Sequence, residues 1–217
     1  MLKVDHLTIE YPGQLMFSDV SFTVNEGEVL AIISEVLDGG TTLLKALGGM
    51  LTGIGGRVSL DGIDVLTMHP RSRALAIGYA YEEHGLISLY NVFQNIALPL
   101  EFHTDLDALD TQNRITSTLQ ELDIDPSLLR LRPHDLNDVQ TRLINLARAM
   151  ILEPRLLLID ELEGGMPEEM IDSVMRVLMS RKQRTGQMII MTTSDELILR
   201  EADRVLKIQD RQLLEQP

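Results

Sequence analysis

The sequence predicts an α/β fold: a mainly parallel sheet core, an N-terminal antiparallel β subdomain and a helical insertion. Three observations carry that expectation. Short aliphatic strands alternate with helical stretches along the second half of the chain. The apolar segment Val29–Ile33 passes through a glycine-containing loop directly into a helix at Thr41. Residues 2–11 (LKVDHLTIEY) alternate apolar and polar side chains, as a strand with one wet face does.

In chain order, Phe22–Val24 and Arg57–Leu60 repeat that alternation beside turns at Asn25–Glu26–Gly27 and Asp61–Gly62, giving a small antiparallel sheet. Val29–Ile33 is apolar throughout, as a strand covered on both faces would be. A helix runs from Thr41 to about Leu47 and stops at Gly48–Gly49, and Ala76–Tyr81 reads as another strand. The character then changes. Asn91–Leu100 and Asp110–Leu122 are helical, the second with Ile115, Leu119 and Leu122 on one face and Asp110 as its cap. Pro126 and Pro133 interrupt before a helix from about Val139 to Ile151. The strand Arg155–Asp160 ends in Asp160–Glu161, and Pro167 opens a helix to Arg184. Strand Met188–Thr192, a short helix near Asp195–Glu201 and strand Arg204–Ile208 close the pattern. The expected division is one domain, 1–217, with 1–87 and 151–217 as core and 88–150 as the helical insertion. In such a sheet ligands sit at the carboxyl ends of the parallel strands.

Composition narrows the function. The 217 residues are 44% hydrophobic and 24% charged, with net charge −14 and no cysteine. An acidic surface disfavours nucleic acid and anionic lipid, and the absence of cysteine excludes disulfides. Neither a targeting segment nor an uninterrupted apolar run near 18 residues is seen, so a cytoplasmic setting is expected.

The stretch EVLAIISEVLDGGTTLLKAL, Glu28 to Leu47, has the strand–loop–helix frame of a phosphate-binding loop. The working form is G-x-x-x-x-G-K-[ST], with backbone N–H groups and one lysine around the phosphates. Here Ser34 stands for the first glycine, Gly39 matches the second, Gly40 replaces the lysine, and Thr41 keeps the hydroxyl with Thr42 after it. The frame persists without its charge.

The blocks VSFTVNEGEVLAIIS, TTLLKALGG, GRVSLDGIDV, IGYAYEEHGLIS, NVFQNIALPL, INLARAMILEPRLLLIDE and EADRVLKI follow one another in order. Together they resemble the ATP-binding subunit of ABC transporters over nearly the whole chain. The resemblance implies a P-loop NTPase-like fold with a RecA-like core. The GLIS…NVFQNIALPL block is similar to the branch serving lipid and lipoprotein transporters. It also implies ATP and Mg²⁺ as cofactors, a transmembrane permease as partner, and a homodimer or heterodimer with another such subunit. Membrane contact would run through the permease, on the inner face.

Position by position, the resemblance implies that Tyr11 stacks on adenine, although a tyrosine capping a sheet edge reads equally well. Ser34, Gly39, Gly40, Thr41 and Thr42 form the phosphate loop, and Thr41 with Asp160 would hold Mg²⁺. Glu82 replaces the glutamine that links metal, attacking water and membrane partner, and it also reads as a solvated loop acid. The LSGGQ signature is LNDVQ, so Asn137, Asp138 and Gln140 stand where backbone should approach a γ-phosphate; the other reading is a helix cap. Glu161 keeps the general-base position. Gly164–Gly165–Met166–Pro167 replaces SGLD and loses its aspartate, and Ser194 occupies the switch-histidine position.

Losing one preorganised donor of this kind typically lowers a rate by about 10²–10³. Lysine, signature glycines and histidine are all absent, and Glu35 and Asp38 add negative charge to the loop. ATP binding is therefore expected to be weak or absent, and the subunit to be a non-catalytic, structural or regulatory part of a transport complex. The alternative is a working ATPase in which Thr41, Asp160 and the loop acids hold Mg²⁺ and the metal brings nucleotide in. A third reading is a scaffold or sensor using the old cleft for another ligand.

Overall fold

The computed structural model describes residues 1–10, 13–35, 37–82 and 85–216. Strands β1 (Leu2–Glu10), β2 (Leu15–Val24), β4 (Gly55–Leu60) and β5 (Ile63–Asp64) form an antiparallel sheet in the order β2-β1-β4-β5. Strands β3 (Val29–Ile33), β6 (Ile77–Ala80), β7 (Leu156–Asp160), β8 (Met188–Thr193), β9 (Arg204–Gln209) and β10 (Gln212–Glu215) form a second sheet, ordered β10-β9-β3-β8-β7-β6. All its pairings are parallel except the β9–β10 hairpin.

The helices are α1 (Gly40–Leu47), α2 (Pro70–Ala76), α3 (Val92–His103), α4 (Ala108–Glu121), α5 (Asp138–Met150), α6 (Glu168–Thr185) and α7 (Glu196–Glu201). Short 3₁₀ turns at Pro126–Arg130 and Pro133–Asp135 stand where the two prolines interrupt the helical pattern.

Every residue of β7 and β8 is buried, because both faces of the parallel sheet are covered. Alternate side chains of one strand enter different cores. Leu157, Ile159, Ile189 and Met191 pack with Ile96, Ile144 and Val174 of the helices. Leu156, Leu158, Ile190, Leu30 and Ile32 pack with Leu43 and Leu47 of α1 and with Phe17 and Val58 of the antiparallel sheet. The molecule thus has helices on one side of the parallel sheet, and α1 with the antiparallel sheet on the other. A buried ion pair fastens α6 to α4: Arg181 donates to both carboxylate oxygens of Glu121, at 2.9 and 2.5 Å, and to the Met150 carbonyl of α5 at 3.2 Å.

Several elements depart from the sequence expectation. β2 begins at Leu15 rather than Phe22; Asp19, at φ 57°, breaks its alternation and shifts the β1 register. Residues 70–76 form a helix that buries none of its side chains, so no periodic apolar face announces it; Ala76 ends it and the strand starts at Ile77. β10 follows a two-residue turn, Asp210–Arg211, whose φ of 51° and 64° are reached without a glycine. The helix predicted to end at Leu100 runs on through Pro99 to His103.

Candidate functional site

β3 delivers the chain at Ile33 to a loop that enters α1 at the carboxyl end of the parallel sheet. Ser34 is buried, and its N–H donates to the Thr193 carbonyl of β8 at 3.4 Å. Its hydroxyl donates to Asp38 Oδ1 at 2.7 Å, and the Glu35 N–H donates to Asp38 Oδ2 at 2.6 Å. The Asp38 carboxylate is thus held at both oxygens by the loop it belongs to. Glu35 is exposed, and its side chain lies 3.6 Å from Lys207 Nζ. Leu37 keeps a left-handed φ of 75° with its side chain 92% exposed, and Gly39 has φ 100°. A Cβ placed on Gly40 would collide with Ser34 Oγ and lie 2.8 Å from Ser34 Cβ and 3.0 Å from Thr192 Cγ2. Thr41 and Thr42 are half-buried in the first turn of α1.

Asp160 is 3% exposed at the end of β7, and hydroxyls surround it. Its Oδ1 accepts from Thr192 Oγ1 at 2.8 Å and Thr41 Oγ1 at 3.2 Å, and its Oδ2 accepts from the Tyr79 hydroxyl at 3.1 Å. Burial and the adjacent Asp160 charge push the Tyr79 phenol far above its ordinary value, so it stays a donor. Glu161 follows with a left-handed φ of 41°, and its N–H donates to the Thr192 carbonyl at 3.2 Å. Burial, then the charges of Glu82, Asp160 and Glu163, raise its carboxyl above the ordinary range, with Arg142 acting against them.

Two residues that the motif reading passes over close the remaining loops. Arg142, two positions after Gln140 on α5, donates through Nη1 to the Glu161 carbonyl at 2.7 Å and the Glu82 carbonyl at 3.3 Å. Its Nη2 lies 3.6 Å from Glu82 Oε1. Glu163 accepts from Thr193 Oγ1 at 2.6 Å and from the Ser194 N–H at 3.1 Å, so a carboxylate holds the backbone at the switch-histidine position. The one available signal was chemical: an arginine and an extra acid flanking motif positions.

Asn137 caps α5: its Oδ1 accepts from the Gln140 N–H at 2.8 Å, and Gln140 Oε1 accepts from the Asn137 N–H at 3.0 Å. Asp138 is exposed in the first turn. The fold therefore gathers Ser34, Gly40, Thr41, Asp160 and Glu161 at one sheet edge, and reaches Glu82 through Arg142 and Ser194 through Glu163. Among the described residues, no hydrogen bond joins Asn137, Asp138 or Gln140 to the β3–α1 loop. Tyr11 lies outside the described residues. Among those described, no three His, Cys, Asp or Glu side chains converge.

Behind this edge lies a groove of about 550 Å³ between α2, α3, α5 and β6, lined by Arg73, Tyr81, Pro99, Phe102, His103 and Arg148. Tyr79 lines it too, and so connects the groove to Asp160. No helix among the described residues is long and apolar enough to cross a membrane.

Comparison with known proteins gives a consistent result. A family model described as "ABC transporter" matches residues 17–163. The putrescine transport ATP-binding protein PotG of Escherichia coli (strain K12) is 30% identical over 196 residues, covering 90% of this chain and 51% of PotG. The lipoprotein-releasing system ATP-binding protein LolD of Alcanivorax borkumensis is 29% identical over 180 residues, covering 81% of this chain and 78% of LolD. The chain spans about half the length of PotG. A solved dimer of the ATP-binding cassette MJ0796, in a post-hydrolysis state bound to ADP and Pi, superposes with a TM-score of 0.93 at 22% identity. That match covers 100% of this chain and 98% of the cassette, and it establishes the fold.

Proposed function

The chain belongs to the ABC transporter family as an ATP-binding domain, and from that premise we propose that it serves as a non-catalytic, structural or regulatory subunit of a membrane transport complex. One observation carries the reading. The loop that should cradle phosphate has Gly40 in place of its lysine, and its own Asp38 carboxylate takes the Ser34 hydroxyl and the Glu35 N–H. A triphosphate entering there meets the loop's own fixed negative charge, with no cation at position 40, and the nearby Lys207 is paired with Glu35. Like charges about 4 Å apart repel by about 1 kcal/mol in water and about 4 kcal/mol at an effective dielectric of 20. On this reading the loop's side chains fit the phosphates of ATP poorly, because Asp38 holds two of its donors.

The rest of the cleft agrees with this reading. Asp160, the family's metal acid, has its oxygens engaged by three hydroxyls. Glu161 is pushed toward its neutral form, with its carbonyl tied to Arg142. Glu163 holds the backbone N–H of Ser194 at the switch position. In this proposal residues 88–150 form a helical subdomain on a RecA-like core of 1–87 and 151–217. Phe102, 71% exposed at the rim of the α2–α3–α5 groove, and the loop near Glu82 would meet a transmembrane permease. A second ATP-binding subunit, the same or different, completes the assembly, and the chain sits on the cytoplasmic face through its partners. PotG and LolD differ in cargo at nearly equal identity, so the function is framed at the level of the complex, with lipid or lipoprotein transport as one branch.

The second reading, a working ATPase, draws on the Thr41–Asp160 pair, 3.2 Å apart, and on the retained Glu161. Calorimetric titration of the purified chain with Mg·ATP decides between them. The proposal expects no saturable heat at millimolar nucleotide. Stoichiometric binding, with turnover abolished by Glu161→Gln, would establish the ATPase instead.

A further inference from the structure

We infer that the β3–α1 loop is closed to phosphate from within: Asp38 is the loop's own anion, and the Ser34 side chain fills the volume that a residue with a Cβ at position 40 would need. The inference rests on the non-catalytic reading and names the residues that enforce it beyond the missing lysine.

A loop of inward-facing donors at a helix N-terminus binds an anion because each N–H and O–H must find an acceptor. Here each of two donors already has one. The Ser34 hydroxyl reaches Oδ1 and the Glu35 N–H reaches Oδ2, at 2.7 and 2.6 Å, so one carboxylate spans both as a phosphate oxygen pair would. Asp38 is tethered four residues from Ser34, and a free phosphate competes with it at a large disadvantage in effective concentration. Glu35, the loop's other acid, points toward Lys207 and does not share the role.

The steric half is independent of charge. Gly40 is buried, and any Cβ there would strike Ser34 Oγ. The first-glycine and lysine positions of the motif are therefore coupled: serine at 34 fits only with glycine at 40, and a lysine at 40 needs glycine at 34. Ser34 joins the two halves, since the hydroxyl that occupies the volume is the one that donates to Asp38. Leu37 and Gly39 hold left-handed φ values of 75° and 100°.

The test is a reversion series read by binding. The wild type, Gly40→Lys, Asp38→Ala and the triple variant Ser34→Gly/Asp38→Ala/Gly40→Lys are titrated with inorganic pyrophosphate and with Mg·ATP by calorimetry. The triple variant is expected to bind both at least about tenfold more tightly than Gly40→Lys, which stays close to wild type. If Gly40→Lys alone matches the triple variant, the missing lysine suffices and the inference fails, while the non-catalytic reading stands. Stoichiometric Mg·ATP binding with turnover by the wild type overturns both. Should the triple variant not melt cooperatively, Asp38→Asn is the substitute, since it keeps the shape and removes the charge. Amide exchange at Glu35 then quickens and pyrophosphate binds at least about tenfold more tightly than to wild type, whereas unchanged affinity overturns the inference.

Discussion

Ser34 and Gly40 share one volume: the hydroxymethyl group of the first occupies the space into which the second would project a Cβ. The pair can be examined by stability alone. Gly40→Ala overpacks the contact and is expected to destabilise by about 1–3 kcal/mol. Ser34→Gly in that background recovers a large part of the loss, although by itself it removes a hydrogen bond to Asp38. Denaturant melts of the double-mutant cycle should give a coupling of at least about 1 kcal/mol; additivity would mean that the two residues do not compete for space.

Asp160 gathers the hydroxyls of Thr41, Tyr79 and Thr192, so its removal acts on folding as well as on chemistry. Asp160→Ala leaves buried donors without acceptors and is expected to cost about 2–4 kcal/mol. Asp160→Asn keeps one acceptor oxygen and costs about half as much. Guanidinium unfolding compares the two, and the Asn variant is the one suited to functional work.

The Glu161 carboxyl is raised mainly by burial and then by three acidic neighbours. An acid with a raised folded-state pKa lowers stability as pH climbs from its unfolded value through its folded value, because the native state holds the proton longer. Glu161→Gln is therefore expected to stabilise the chain at neutral pH, by less than about 1 kcal/mol after solvent screening. The gain should disappear below the ordinary glutamate range, where Glu161 is neutral in both states. Thermal melts at pH 7.5 and 3 provide the check.

Arg181, with its side chain 6% exposed, is the buried partner of Glu121. Arg181→Ala leaves that carboxylate, 24% exposed, with only Arg184 at 3.6 Å, and opens a hole between α4, α5 and α6, at an expected cost of about 1–3 kcal/mol. The apolar pair Arg181→Met/Glu121→Leu should return most of the stability. A cycle that fails to do so would show that the guanidinium acts mainly through its bond to the Met150 carbonyl.

The parallel strands and the larger helices were legible because burial on both faces leaves unbroken aliphatic runs, as in LLLID, and because capping residues such as Asn91 and Asn137 mark where helices begin. The α2 helix and β10 were not, since one buries nothing and the other follows a turn without glycine. In the site, the lost lysine and glycines could be read from spacing. What replaced them could not. Arg142 and Glu163 act through three-dimensional proximity to Glu82, Glu161 and Ser194, and the orientation of the Asp38 carboxylate depends on the loop's path.

The carboxylate held by Ser34 and Glu35 is covalently part of the polypeptide, so it can be neither diluted, exchanged nor split. On the proposed reading the shape of that loop is set once, at folding, and does not follow the supply of energy carriers. Whatever rests on this face would then meet the same surface in starvation as in plenty.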